Sequence, residues 1–165
     1  MAHDTSLDTE HLNIKLKEAM YNHNYTRARS LLEEGADPNT LSGWRTPFIY
    51  WCAEKGKIDL IDLALEKGAD INATNKSGET ALHRAAYVGN VKEIDHLIDR
   101  GADINHQNMY GYTPLFVAVF RNQLESLRTL LARGADTSIR NSNGATAAEM
   151  AKELEREEIA ALLTA

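Results

Sequence analysis

The chain has 165 residues, 43% hydrophobic and 25% charged, with a net charge of −6, a globular composition that argues against disorder. The acidic balance speaks against non-specific binding to DNA, RNA or an anionic membrane, because each of these needs a net basic surface. A single cysteine, Cys52, excludes an intramolecular disulfide, and no apolar run approaches the ~20 residues of a membrane helix. A reducing cytosol or nucleus is the expected setting.

Residues 1–10 are polar and acidic, lack the apolar core of a signal peptide, and are expected to be disordered. Residues 11–165 read as a single domain of five helical pairs. The first helix, at 11–22, sets Leu12, Leu16 and Ala19 among Lys15, Lys17, Glu18 and Asn22, and residues 11–39 form an N-terminal cap pair. Three repeats follow at 40–72, 73–105 and 106–138, and residues 139–165 close the stack. The closing unit carries Lys152, Glu153, Glu155, Arg156, Glu157 and Glu158. A terminal unit has no outer neighbour and needs a polar face, so these charges read as solvated surface.

The period behind this division is explicit. Gly35-Ala36-Asp37, Gly68-Ala69-Asp70, Gly101-Ala102-Asp103 and Gly134-Ala135-Asp136 recur every 33 residues, as in stacked repeat architectures. Asn39, Asn72 and Asn105 follow the first three Asp residues, with Ser138 in the fourth place. Apolar residues at i, i+3, i+4 (Ile61, Ala64, Leu65; Ile94, Leu97, Ile98; Leu127, Leu130, Leu131) mark one stripe of an amphipathic helix. Thr80 and Thr113 suit helix N-caps and Pro114 the first helical position. The Gly of each Gly-Ala-Asp suits a left-handed helix end. Gly56, Gly89 and Asn122 suit the break between the two helices of a pair.

With its Thr80-Ala81-Leu82-His83, Thr113-Pro114-Leu115-Phe116 and Gly-Ala-Asp-x-Asn motifs, the sequence resembles the ankyrin-repeat family from about His11 onward. The resemblance implies an all-α solenoid of stacked helix-turn-helix units with short hairpin fingers. It implies that His83 bonds to neighbouring finger backbone, and that Asn39, Asn72 and Asn105 match the family's hydroxylation positions, although turn hydrogen bonding accounts for them. It also implies a concave binding face built from the fingers and the first helices.

Two places depart from the pattern. Counted back from Gly56, Pro47 falls where Thr80 and Thr113 stand, and Thr46 comes one place early, so either the finger at 41–48 is shorter or the following helix longer. Tyr50 takes the place of His83 and Cys52 that of Ala85. In the last unit the loop between helices reads as one residue shorter.

Little chemistry is legible. Cys52 has no local His partner and reads as a small core residue. The six His are scattered without zinc spacing, no phosphate-cradling glycine motif occurs, and neither cofactor nor metal is expected. An enzyme or small-ligand site around Trp44, Tyr50 and Cys52 is the alternative reading; self-association is a weaker one.

The leading expectation is a monomeric, non-catalytic adaptor or scaffold that binds another protein or peptide. By resemblance, the variable positions of the fingers and inner helices name the partner-binding residues: Lys76, Glu79, Tyr87, Val88, Met109, Tyr110, Tyr112, Phe120 and Arg121, with Trp44 in the irregular repeat beside Ser42, Arg45, Glu54 and Lys55. Tyr110, Tyr112, Phe120 and Tyr87 are expected to be exposed, and Phe48, Trp51 and Phe116 to be core or half-buried. Aromatic, Met and Arg residues are the enriched components of interface centres.

Overall fold

The computed structural model describes residues 5–164, with the side chains of residues 8–164. Ten α-helices and no strand lie among these residues, in five consecutive pairs. The pairs are α1 (Thr5–Tyr21) with α2 (Tyr25–Glu34), α3 (Phe48–Glu54) with α4 (Ile58–Glu66), α5 (Ala81–Val88) with α6 (Val91–Asp99), α7 (Pro114–Phe120) with α8 (Leu124–Ala132), and α9 (Ala147–Glu153) with α10 (Glu157–Thr164). Helix α1 begins at Thr5, so residues 5–10, expected to be disordered, supply its first turns; residues 1–4 lie outside the described residues.

Helices α3, α5, α7 and α9 pack in sequence as one row, and α2 on α4 and α6 on α8 belong to a second row behind it. The core lies between the rows. Phe48, Leu82, Leu115 and Phe116 enter it from the first row, and Leu60, Ile61, Ile94, Leu97, Leu127 and Leu130 from the second, all essentially inaccessible. Each such side chain contributes about 1.5–3 kcal/mol on burial. Phe48 and Trp51 are core, as expected; Trp51 packs among His23, Tyr25 and Phe48.

The break between paired helices has the same geometry throughout. His23, Gly56, Gly89, Asn122 and Glu155, each 33 residues from the next, have φ of 53°, 66°, 90°, 57° and 57°. The last loop is therefore not shorter than the others: Glu155 occupies the left-handed position. Residue type misled there because this position favours Gly or Asn without requiring either.

The turns between pairs form a ladder. The side-chain oxygen of Asn39 accepts from the backbone N–H of Asp70, that of Asn72 from Asp103, and that of Asn105 from Asp136, at 2.8–2.9 Å. At the N-terminal end Asn13, on α1, accepts from Asp37 N–H at 2.7 Å. In the fourth place Ser138 bonds within its own turn, to Asp136 Oδ1.

Behind the helices, ion pairs join the second row: Arg29 with Asp59, Arg100 with Asp62, Arg133 with Asp95 and Asp99, and Arg128 with Glu158, and His96 Nε2 hydrogen-bonds to Asp62 at 2.9 Å. Most of these side chains are substantially solvated, and such pairs contribute at most about 1 kcal/mol each.

Candidate functional site

The fingers place the tips of residues 42–45, 75–78, 108–111 and 141–144 in a line. In the last three, an Asn ties the tip. Asn75 Oδ1 accepts from the N–H groups of Ser77 and Glu79, Asn108 from Tyr110 and Tyr112, and Asn141 from Asn143 and Ala145, at 2.9–3.0 Å. These three tips are joined to one another by backbone bonds of 3.0 Å, from Met109 N–H to Ser77 O and from Ser142 N–H to Tyr110 O.

The first finger breaks this pattern without changing its length. The Leu41–Pro47 bridge matches that of Arg140 and Thr146, three periods later, so Pro47 is the N-cap of α3 and neither the finger nor the helix has changed. The two alternatives read from the sequence both fail. What changes is chemistry. Ser42 replaces the tip Asn, and Arg45 replaces the tip Gly while keeping its left-handed backbone (φ 55°, against 77°, 72° and 79° at Gly78, Gly111 and Gly144). Trp44 is left-handed too (φ 60°) and projects into solvent at 84% exposure.

Three openings follow the line of fingers. One, of ≈ 470 Å³, lies between α1 and the first tip, walled by Lys17, Tyr21, Ser42 and Trp44. The next, of ≈ 440 Å³, lies among Trp44, Lys76, Ser77, Met109 and Tyr110. The third, of ≈ 190 Å³, is walled by Glu79, Tyr87, Tyr110, Tyr112, Val117 and Phe120. Trp44 walls the first two and Tyr110 the last two, so the openings lie side by side along the fingers as a segmented trough.

The structure thus brings Trp44, Lys76, Glu79, Tyr87, Met109, Tyr110, Tyr112 and Phe120 together, with Arg121 against Tyr87, its guanidinium 4.2 Å from the ring centre. Val88 is exposed at the end of α5 and lines none of these openings. The expected exposure of the four aromatics is half right. Tyr110 and Phe120 are more than half exposed, but Tyr87 and Tyr112 are half-buried and packed on the core. Tyr112 leans on Phe116, ring centres 5.5 Å apart, so only part of its ring meets solvent.

Two residues of this surface were missed. Tyr21, 86% exposed, stands two periods before Tyr87, so counting back past Glu54 would have found it. Arg84 lies one helical turn before Tyr87, spacing that puts both on one side of α5. Its guanidinium is 4.8 Å from the Tyr87 ring and 3.2 Å from Glu54 Oε2. Burial works to raise the pKa of Glu54, but bonds and charges from Lys55 and Arg84 outweigh it and hold the carboxyl below its ordinary value. Glu79 Oε2 accepts from Tyr50 Oη at 3.2 Å and from Asn75 Nδ2 at 3.0 Å.

Trp44, Tyr50 and Cys52 do not share an opening: those at Trp44 are walled by neither of the others. Burial pushes the Cys52 thiol well above its ordinary pKa, which suppresses the nucleophilic thiolate. Burial, with Glu79 adding to it, also pushes the Tyr50 hydroxyl upward. Among the described residues no cluster of His, Cys, Asp or Glu is arranged to hold a metal ion, and no helix is long and apolar enough to cross a membrane.

His83 shows the structural role that the resemblance implied. Nε2 lies 2.9 Å from the carbonyl oxygen of Tyr112, in the next finger, so Nε2 carries the proton and donates. Nδ1 then accepts from Thr80, from its N–H at 3.2 Å and its hydroxyl at 2.9 Å.

No relative among the curated proteins matches the chain. A family model described as ankyrin repeats (3 copies) matches it in three overlapping stretches, residues 16–108, 49–141 and 89–165. With the 33-residue period, the paired helices and the finger hydrogen bonds all in place, the chain belongs to the ankyrin-repeat family.

Proposed function

We propose that the chain is a non-catalytic adaptor that holds another protein along the trough of its fingers and first helices, the concave side of the solenoid. Ankyrin repeats are in general protein–protein interaction modules. One observation carries the placement. Every large exposed hydrophobic residue among those described, Ile14 and Val88 apart, walls this trough: Tyr21, Trp44, Met109, Tyr110 and Phe120. Contiguous exposed apolar surface is unfavourable unless something covers it. The reading takes the chain as a monomer in a reducing compartment, with Cys52 as core.

The test is capture from a lysate of the source with wild-type chain and with a Tyr110→Ala/Phe120→Ala variant. A prey retained by the wild type and lost by the variant, with both melting alike, supports the reading. A prey retained by both moves the contact elsewhere.

A further inference from the structure

We infer that the partner of this trough is an acidic, unfolded peptide segment bearing one large apolar side chain, which seats in the opening between Tyr87, Tyr112, Val117 and Phe120. The inference rests on the proposed binding face and adds the chemistry of what occupies it.

Charge is the first argument. The chain as a whole is acidic at −6, yet the trough and its rim carry Lys17, Arg45, Lys55, Lys76, Arg84 and Arg121 against Glu18, Glu54 and Glu79. Glu54 and Glu79 are engaged within the protein. Glu54 takes Lys55 at 2.9 Å and Arg84 at 3.2 Å, and Glu79 takes Tyr50 and Asn75. Among the described residues Lys17, Arg45, Lys76 and Arg121 have no carboxylate partner. Arg121 is held against the Tyr87 ring, which fixes it at the rim before anything binds. Acidic groups of a partner would meet four ready cations, Lys17, Arg45, Lys76 and Arg121, and one free carboxylate, Glu18.

Shape is the second. An engineered cavity of about 150 Å³ holds benzene, so an opening of ≈ 190 Å³ takes one large side chain. Its walls are five apolar or aromatic side chains, Tyr87, Tyr110, Tyr112, Val117 and Phe120, with Asn108 and the already bonded Glu79. The neighbouring openings continue it along the fingers. Packed helices stand about 8–10 Å apart and an extended chain advances about 3.3 Å per residue. Roughly three residues of an extended segment thus match one repeat, and about a dozen span the trough. A nucleic-acid strand fits less well, because a phosphate at every nucleotide would also have to pass Glu54 and Glu79.

The experiment pans a random peptide display library, about twelve residues long, on the full chain. Enriched peptides are synthesised with a fluorophore and titrated by anisotropy against wild type, Phe120→Ser and Arg121→Glu, each first checked by thermal melting. A fluorescein-labelled single-stranded oligothymidylate of about twenty nucleotides serves as the second probe. The expected peptides are net acidic with a large apolar residue, bind about tenfold more weakly to either variant, and lose affinity as NaCl rises from about 0.05 to 0.5 M. Neutral or basic peptides that still lose binding on Phe120→Ser overturn the inference and leave the binding face standing. Peptides that bind both variants like the wild type overturn the face as well. No enrichment, or an oligonucleotide bound as tightly as the best peptide, overturns the peptide chemistry.

Discussion

The ring of His83 in one repeat donates from Nε2 to the carbonyl oxygen of Tyr112 in the next, at 2.9 Å, while Tyr112 turns its own ring towards the trough. One residue is thereby a structural acceptor through its backbone and part of the candidate binding surface through its side chain. The same junction closes on Thr80, so the helix start, the finger and the trough floor are mechanically one unit.

His83 should make stability depend on pH. Burial lowers its pKa from 6.5 to about 4, outweighing the bond to the Tyr112 carbonyl. The unfolded chain therefore binds the extra proton between about pH 6.5 and 4. Stability from the neutral ring is fully present above pH 6.5 and falls away as pH drops towards 4, by at most about 3 kcal/mol. Urea titrations of wild type and His83→Gln at pH 7 and pH 4 check this. The gap between them should close at pH 4, and a gap that stays constant would remove His83 as the titrating group.

Substitutions in the trough should separate by burial. Phe120→Ser removes an exposed ring and is expected to change stability by no more than about 0.5 kcal/mol. Tyr112→Ala removes a half-buried ring that packs on Phe116 and should lower stability by about 1–3 kcal/mol. Equal melting temperatures for the two variants would contradict the packing described for Tyr112.

Finger tips should respond to substitution according to what faces them. A Cβ on Gly111 would stand 2.7 Å from the backbone nitrogen of Ser142, whereas one on Gly144 meets nothing within 4 Å. Gly144→Ala should thus lose about 1 kcal/mol from left-handed strain alone, and Gly111→Ala about 2 kcal/mol or more. Arg45→Gly relieves that same strain and should raise stability by about 1 kcal/mol. Chemical denaturation midpoints of the three variants give the order; Gly144→Ala matching Gly111→Ala would refute the close approach.

The asparagine ladder should be worth more in the middle than at its end. Asn72→Ala deprives the Asp103 N–H of its acceptor and is expected to lower stability by about 1 kcal/mol. Ser138 bonds only to Asp136 within its own turn, so Ser138→Ala should have the smaller effect. The same denaturation measurement decides, and equal losses would mean that the inter-turn bonds contribute nothing.

The irregular finger shows how far residue identity can mislead. Thr46 and Pro47 suggested a slipped register because capping Thr is a strong local signal. The chain instead keeps its length, and Pro47 caps α3 without a side-chain bond. Glu155 misled in the same way. Backbone bonds hold both places whatever the residue type: Ser42 N–H to Thr46 O and Thr46 N–H to Gly43 O in the finger, Glu155 N–H to Lys152 O and Arg156 N–H to Ala151 O in the last loop.

The sequence alone determined the period, the fold and the line of positions on which the aromatics fall, because a strict 33-residue repeat makes every residue's place in one unit its place in all. Only the tertiary structure decided which of those side chains stay in solvent and which charges stay free. That depends on which atoms of the same or the neighbouring repeat capture each group: Phe116 of the same repeat takes the ring of Tyr112, and Asn75 of the same finger and Tyr50 of the preceding repeat take the carboxylate of Glu79. Arg121 is left at the rim against Tyr87. A repeat period assigns neighbours, but rotamers and hydrogen bonds settle what those neighbours leave exposed.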